Sequence, residues 1–233
     1  MRELGEKLGL PRRLVWRHPF PGPGLAVRVL CSDGVEENGS ASLRMPDEAA
    51  AAASGLVADL LPLRSVGVQG DGRSYAHPVR ISGPGAAPGA IDWDLLERLS
   101  TELTNTLPQV NRVVLQLGPE KRPDQRLKEG YLTRERLDLL READAIAMEA
   151  LERHGLMAAV TQMPAVLVPL SSDGRRESIV LRPVTTDDFM TARFDRLPEP
   201  FLTEVTGKLL ALDGIEAVYY DITHKPPATV EWE

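Results

Sequence analysis

The chain carries one pattern twice, and that duplication limits what it can fold into. The stretch "LLPLRS", beginning at residue 60, answers "VLVPLS", beginning at 166, and "LPQVNRVVLQL" at 107–117 answers "LDGIEAVYYDI" at 212–222. The spacing is far longer than the 20–50 residues of a solenoid repeat, so each copy must be a supersecondary unit with its own helix and strands. In copy A, "LPLRSVGVQGDGRSYAHPVRIS" predicts two strands around a Gly-Asp-Gly turn. Leu96, Leu99, Leu103 and Leu107 then fall on one helical face, and "QVNRVVLQL" gives a further strand. Copy B repeats the order: two strands in "AVLVPLSSDGRRESIVLRPVT", a helix on Leu202, Val205, Leu209 and Leu212, and a last strand in "IEAVYYDIT". Two ββαβ units with helices on one face of each sheet predict an α+β fold of two-layer α/β sandwiches.

The flanking segments are read more simply. Residues 2–9 predict a helix stub ending at Gly9, and its place at the start suggests that something precedes it. Residues 25–31 alternate as a strand, 32–47 read as a loop, and the alanine-rich "PDEAAAAASGLVADLL" reads as a helix beginning after Pro46. Residues 83–90 are a Pro/Gly linker and "GPEKRPDQRLKEG" is another. Between the copies, Thr133 caps a helix to about His154, with Leu137, Leu140, Ala147 and Leu151 on its face and Gly155 as its stop. The division expected is 1–24, 25–118 for copy A and 119–233 for copy B.

Composition excludes several classes. With 233 residues and 42% hydrophobic content the chain can bury a substantial core. A net charge of -7 opposes a general nucleic-acid surface, so any phosphate must be captured locally. The single cysteine, Cys31, rules out an intrachain disulfide framework and is expected as a buried strand residue. No secretory leader or membrane-length apolar run is seen, which predicts a cytoplasmic protein without membrane contact, and Asn38-Gly39-Ser40 reads as a polar turn. There is no Walker-type loop, nucleophile elbow or HExxH pair, and His18, His77, His154 and His224 are scattered, so no catalytic or metal-binding residue is assigned.

Four places could meet a ligand. "SGPGAAPG" nearly spells a dinucleotide fingerprint but has an extra residue and two prolines, and reads as a linker. Asp71 and Arg73 sit at the tip of "GVQGDGRSY", where glycines let a backbone approach a ligand; turn chemistry alone would also explain them. Asp187 and Asp188 in "TTDDFMTARF" fit a capped turn better than a pair of acids, and Gln162 in "VTQMPAVLVPL" is a polar residue before an apolar strand. The fourth is "HKPPATVEWE", residues 224–233. Pro226 and Pro227 should impose an extended path, Trp232 should anchor it by burial, Lys225 suits a phosphate and Glu231 a hydroxyl or ring N–H. A strand clamp with an incidental ion pair is the alternative.

Together, "WRHPFPGPGLAVRVL", "LPLRSVGVQGDGRSY", "NRVV", "LREADAI", "DDFMTARF" and "YDITHKPPATVEWE" resemble the C-terminal region of GMP synthase, the glutamine-hydrolysing ligase that aminates XMP to GMP. The duplication resembles the long form, whose dimerisation domain carries a large insert. The resemblance implies XMP-binding positions at Asp71, Gln162, Lys225 and Glu231, with Arg73 and Trp232 in support. It implies as partners an ATP pyrophosphatase domain and a glutamine amidotransferase domain, a homodimer being one form of assembly, and ATP with magnesium in the complete enzyme. Residues 1–24 would be the remnant of the connection to the pyrophosphatase. The SGGVDS-type loop and the amidotransferase cysteine are absent from these residues, so the chain alone should not make GMP and should hold no cofactor itself. An alternative is a non-catalytic module that dimerises or docks on a separate pyrophosphatase subunit. Copy A keeps the Gly-Asp-Gly-Arg hairpin and copy B the tail, which leads us to expect an intrachain pseudo-dimer with one composite site drawing Asp71 from the first and Lys225 from the second.

Overall fold

The computed structural model describes residues 2–18, 24–35, 42–47, 52, 54–69 and 72–233. Copy A contributes strands β1 (Val57–Leu60), β2 (Ser65–Gln69) and β3 (Gly72–Ser82), helix α1 (Trp93–Thr106) and strand β4 (Val110–Gly118). Helix α2 (Arg134–Arg153) follows, and copy B contributes β5 (Ala165–Val168), β6 (Glu177–Leu181), helix α3 (Glu199–Leu210) and β7 (Ile215–Asp221). Asp92 caps α1 by accepting from Leu95 N at 3.0 Å, Thr133 caps α2, and Gly155 at φ 69 ends it, as the sequence leads one to expect.

The two copies share one sheet. Its eight strands run Ser42–Leu43, β1, β3, β4, β7, β6, β5, with β2 paired to the first half of β3. Within each copy the outer pair is antiparallel and the crossover helix returns the chain parallel, β3 to β4 and β6 to β7. The copies meet where β4 lies antiparallel to β7. Leu115 and Tyr220 occupy the same place in the two repeats and face each other, while the flanking pairs Gln116–Tyr219 and Val114–Asp221 exchange under the same operation. A pseudo-twofold therefore passes between Leu115 and Tyr220, and the ββαβ units form the intrachain pseudo-dimer.

Every residue of β4 and β7 is buried, as expected of central strands covered on both faces. On one face Leu96, Leu99 and Leu103 of α1, Leu140 and Leu151 of α2, and Leu202 and Val205 of α3 pack against Val113, Leu115, Ile179 and Val218. On the other face lie Leu61, Leu63, Val114, Val166, Val180 and Tyr219, and the cover there includes Trp232 from the tail. The segments that leave the two central strands cross reciprocally. After β4, Arg126–Leu127 pairs with Leu170–Ser171 beside β6, and after β7, Ala228 bridges to Gly67 on β2.

Several local expectations change. Residues 57–60, read as helix, form β1: Gly55 at φ 64 breaks the run, and hydrogen bonding to β3 outweighs the helix propensity of the alanines before it, most of which lie outside the described residues. Residues 25–28, read as a strand, make a 3-10 turn after Gly24 at φ 82, and only Val29 and Leu30 reach β5. Within the expected loop 32–47, Ser32–Asp33 pairs with Glu129–Gly130 and Ser42–Leu43 with β1. Cys31 is exposed, because the chain leaves the edge of β5 one residue earlier. Asn38, Gly39 and Ser40 lie outside the described residues.

Candidate functional site

The C-terminal tail is held where copy A and copy B meet. Along β2, Val68 N donates to Pro227 O at 2.6 Å, Gly67 bridges to Ala228, and Val66 N donates to Trp232 O at 2.9 Å. Gly67 is required by this approach, since a Cβ there would lie 2.6 Å from Ser74 Oγ and 2.7 Å from Pro227 O. The prolines do not extend the tail: both bonds, Lys225-Pro226 and Pro226-Pro227, are cis, and the chain turns so that Ala228 N donates to His224 O at 3.1 Å.

Beneath the tail is a fully buried ion network. Arg112 of β4 and Arg182 after β6 place guanidinium groups on the two oxygens of Asp221, at 2.8 and 2.9 Å, and none of the three side chains is exposed. Arg112 also donates to Val66 O, Thr229 Oγ1 and Glu231 O, and Arg182 donates to Thr229 O at 2.8 Å. Trp232, 0% exposed, donates from Nε1 to Asp221 Oδ2 at 3.1 Å and lies under the Arg112 guanidinium, 4.8 Å from the ring centroid. Burial pushes Arg112 down to about 10, with Asp221 opposing the shift, and it pushes Arg182 down in the same direction. Two cations share one anion out of water here, and oxygens of Ser65, Val66, Thr223, Thr229 and Glu231 accept further donors, while Arg182 Nη2 has no acceptor among the described residues.

Of the positions expected from the sequence, Lys225, Gln162, Glu231 and Trp232 are drawn to this half of the molecule. Lys225 forms an antiparallel bridge with Ala192, whose neighbours Arg193–Phe194 pair with Val184–Thr185, and Val184 bridges to the buried Gln162. Lys225 and Gln162 thus flank one ribbon. The Lys225 ammonium donates to Phe189 O, and Phe189, at φ 60, is the described non-glycine residue in the left-handed region. Asp188 closes this loop by accepting from Met190 N and Thr191 N, which is the turn role foreseen for it. Arg73 is exposed on β3, in register with Val68, and Asp71 lies outside the described residues, although Gln69 and Gly72 on either side of the tip pair with each other.

Glu231 is fixed twice. Its carbonyl accepts from Arg112, and its carboxylate accepts from Arg28 Nε and Nη2, each at 3.2 Å. Arg28 in turn lines a cleft of about 690 Å³, shared with Trp16, Asp144, Met148, Gln162 and Met163. This volume is in the range of small-molecule sites. Residue type and spacing did not single out Arg28, Asp144, Arg112, Arg182 or Asp221 as site residues, because their partners are distant along the chain. Among the described residues no group of three or more His, Cys, Asp or Glu could hold a metal ion, and no helix is long and apolar enough to cross a membrane.

Comparison with known proteins gives this arrangement a family. The model of the GMP synthase C terminal domain matches residues 47–124 and 149–232, segments that contain β1 to β4 and β5 to the tail. A probable GMP synthase [glutamine-hydrolyzing] of Leptospira interrogans is 39% identical over 236 residues, taking in all of this chain and 38% of that protein. The corresponding figures are 33% over 306 residues for one from Caenorhabditis elegans and 49% over 241 residues for one from Alkalilimnicola ehrlichii, of which the chain covers 40% and 27%. The chain spans about two fifths or less of the length of these relatives. With both repeats matched and the tail included, the chain belongs to the GMP synthase C-terminal domain family.

Proposed function

We propose that the chain supplies the XMP-binding and subunit-pairing region of a glutamine-hydrolysing GMP synthase, acting in the cytoplasm in the ATP-dependent amination of XMP to GMP. The supporting observation is the tail of copy B bonded along β2 of copy A, which fixes Lys225 and Glu231 at the junction of the repeats. In this reading Lys225 meets the nucleotide phosphate. An ammonium has three donors, so the one spent on Phe189 O leaves two for phosphate oxygens. Gln162 and Glu231 serve the same ligand, Asp71 and Arg73 are the residues of copy A assigned to it, and Trp232 holds the tail. The β4–β7 junction does for one chain what pairing does for two. ATP, magnesium and the ammonia-releasing and adenylylating steps belong to pyrophosphatase and amidotransferase partners, and the chain alone makes no GMP.

Calorimetry with XMP tests this. Lys225→Ala and Asp71→Ala are each expected to weaken binding by more than about tenfold, roughly 1.4 kcal/mol. Absence of XMP binding by the unaltered chain would replace this reading with a docking module that lacks a nucleotide site of its own.

A further inference from the structure

Two residues that the reading above leaves without a role, Arg28 and Asp144, share the cleft wall with Gln162. Asp144 stands in "LREADAI" on α2, and Arg28 follows the Pro/Gly-rich segment near the start of the chain. The Arg28 side chain is only 5% exposed and lies between two carboxylates: Glu231 takes two of its donors at 3.2 Å, and Asp144 Oδ1 is 3.8 Å from Nη1, too far for a hydrogen bond. Asp144 Oδ1 is buried and accepts no hydrogen bond from any described residue. Burial pushes the Asp144 carboxyl up, with Arg28 and the Ala165 N–H opposing.

One guanidinium between two carboxylates leaves Asp144 Oδ1 without a donor, and a buried carboxylate oxygen in that state is costly. Along the cleft Asp144, Glu149 and Glu152 outnumber Arg17 and Arg28, which disfavours a phosphate there. The wall is therefore complementary to the donor-bearing, uncharged part of a nucleotide. Glu231 does not line the cleft; it stands behind Arg28 and fixes the guanidinium plane.

We infer that Asp144 and Arg28, with Gln162, form the wall that receives the nucleoside part of a purine nucleoside monophosphate. Asp144 accepts an N–H or O–H of the ligand, and Glu231 is a positioning residue that acts through Arg28. This rests on the nucleotide-binding reading above and assigns ends to it: phosphate at Lys225, nucleoside at Asp144.

The test is calorimetry with XMP on the unaltered chain, Lys225→Ala, Asp144→Asn, Arg28→Lys, Glu231→Gln and the Arg28→Lys/Glu231→Gln double variant, each checked for an unchanged thermal midpoint. Asp144→Ser serves as a second variant should the amide disturb folding. Asp144→Asn is expected to weaken XMP by about tenfold or more. Arg28→Lys keeps the charge but loses the fork, so the double variant should bind no worse than the weaker single one, because the two residues act as a unit. Repeating the series with 2′-deoxyxanthosine monophosphate separates the donors: a loss confined to XMP identifies the 2′-hydroxyl, and an equal loss with both ligands identifies the 3′-hydroxyl or a ring N–H. If Lys225→Ala weakens XMP while Asp144→Asn changes it by less than about twofold, the wall assignment is wrong and the nucleotide reading stands. If the unaltered chain binds no XMP, both fall.

Discussion

Asp221, at the end of β7, ties the tail to the sheet. Its two oxygens hold Arg112, Arg182 and the Trp232 indole at once, in a site without solvent. Removing its charge leaves two buried guanidinium groups uncompensated, and breaking a buried pair in this way costs about 3–5 kcal/mol. Asp221→Asn should therefore lower stability by at least about 3 kcal/mol in urea unfolding; a change within experimental scatter would mean that the tail oxygens alone satisfy both arginines. The burial of Trp232 could be read from residue type alone, a large ring set beyond two prolines. Arg112 and Asp221 could not. Each interrupts an apolar strand, "NRVVLQL" and "AVYYDI", and only their approach across the β4–β7 junction gives them a purpose.

The helices were the most legible elements, because Leu96, Leu99 and Leu103 or Leu202, Val205 and Leu209 repeat at helical spacing and do face the sheet. Strand β1 was hidden by the alanines before it, and the 3-10 turn at Leu25–Arg28 by an alternation too short to specify a register. Between helices, α2 and α3 are tied by Glu204, which accepts from Arg153 and His154 as well as from Lys208 in its own helix. Lys208 first, then His154 and Arg153, hold its carboxyl down to about 2 from a usual value of 4.5. A carboxyl with a depressed pKa in the folded protein stabilises it above the unfolded value, and that contribution disappears as pH falls through the folded one. Glu204→Gln should thus lower the melting temperature at pH 5, and the gap to the unaltered chain should close between pH of about 4.5 and about 2. A gap that stays constant over this window would show that Glu204 acts by packing rather than charge.

At the scale of the molecule, the duplication announced two like units, but one sheet running through both depends on which strands meet, and β4 and β7 look alike in sequence to any other buried strand. The pseudo-twofold also shows why the two ends of the sheet are unequal. By the strand register, the place of Gln162 in copy B is taken by Gly55 in copy A, and that of Lys225 by Glu120, an acid where the proposed phosphate contact stands. Calorimetric titration should therefore give one XMP per chain; a stoichiometry near two would show that the second half keeps a working site. The segments after β4 and β7 cross reciprocally, each arm completing the other half. Were the halves separate molecules, each completed by an arm from the other, the finished sheet would vanish on dilution according to the law of mass action. Joined through α2, each half meets the other at a fixed effective concentration set by the connecting chain, so the closing of this sheet is a folding event whose yield is indifferent to how little of the protein is made.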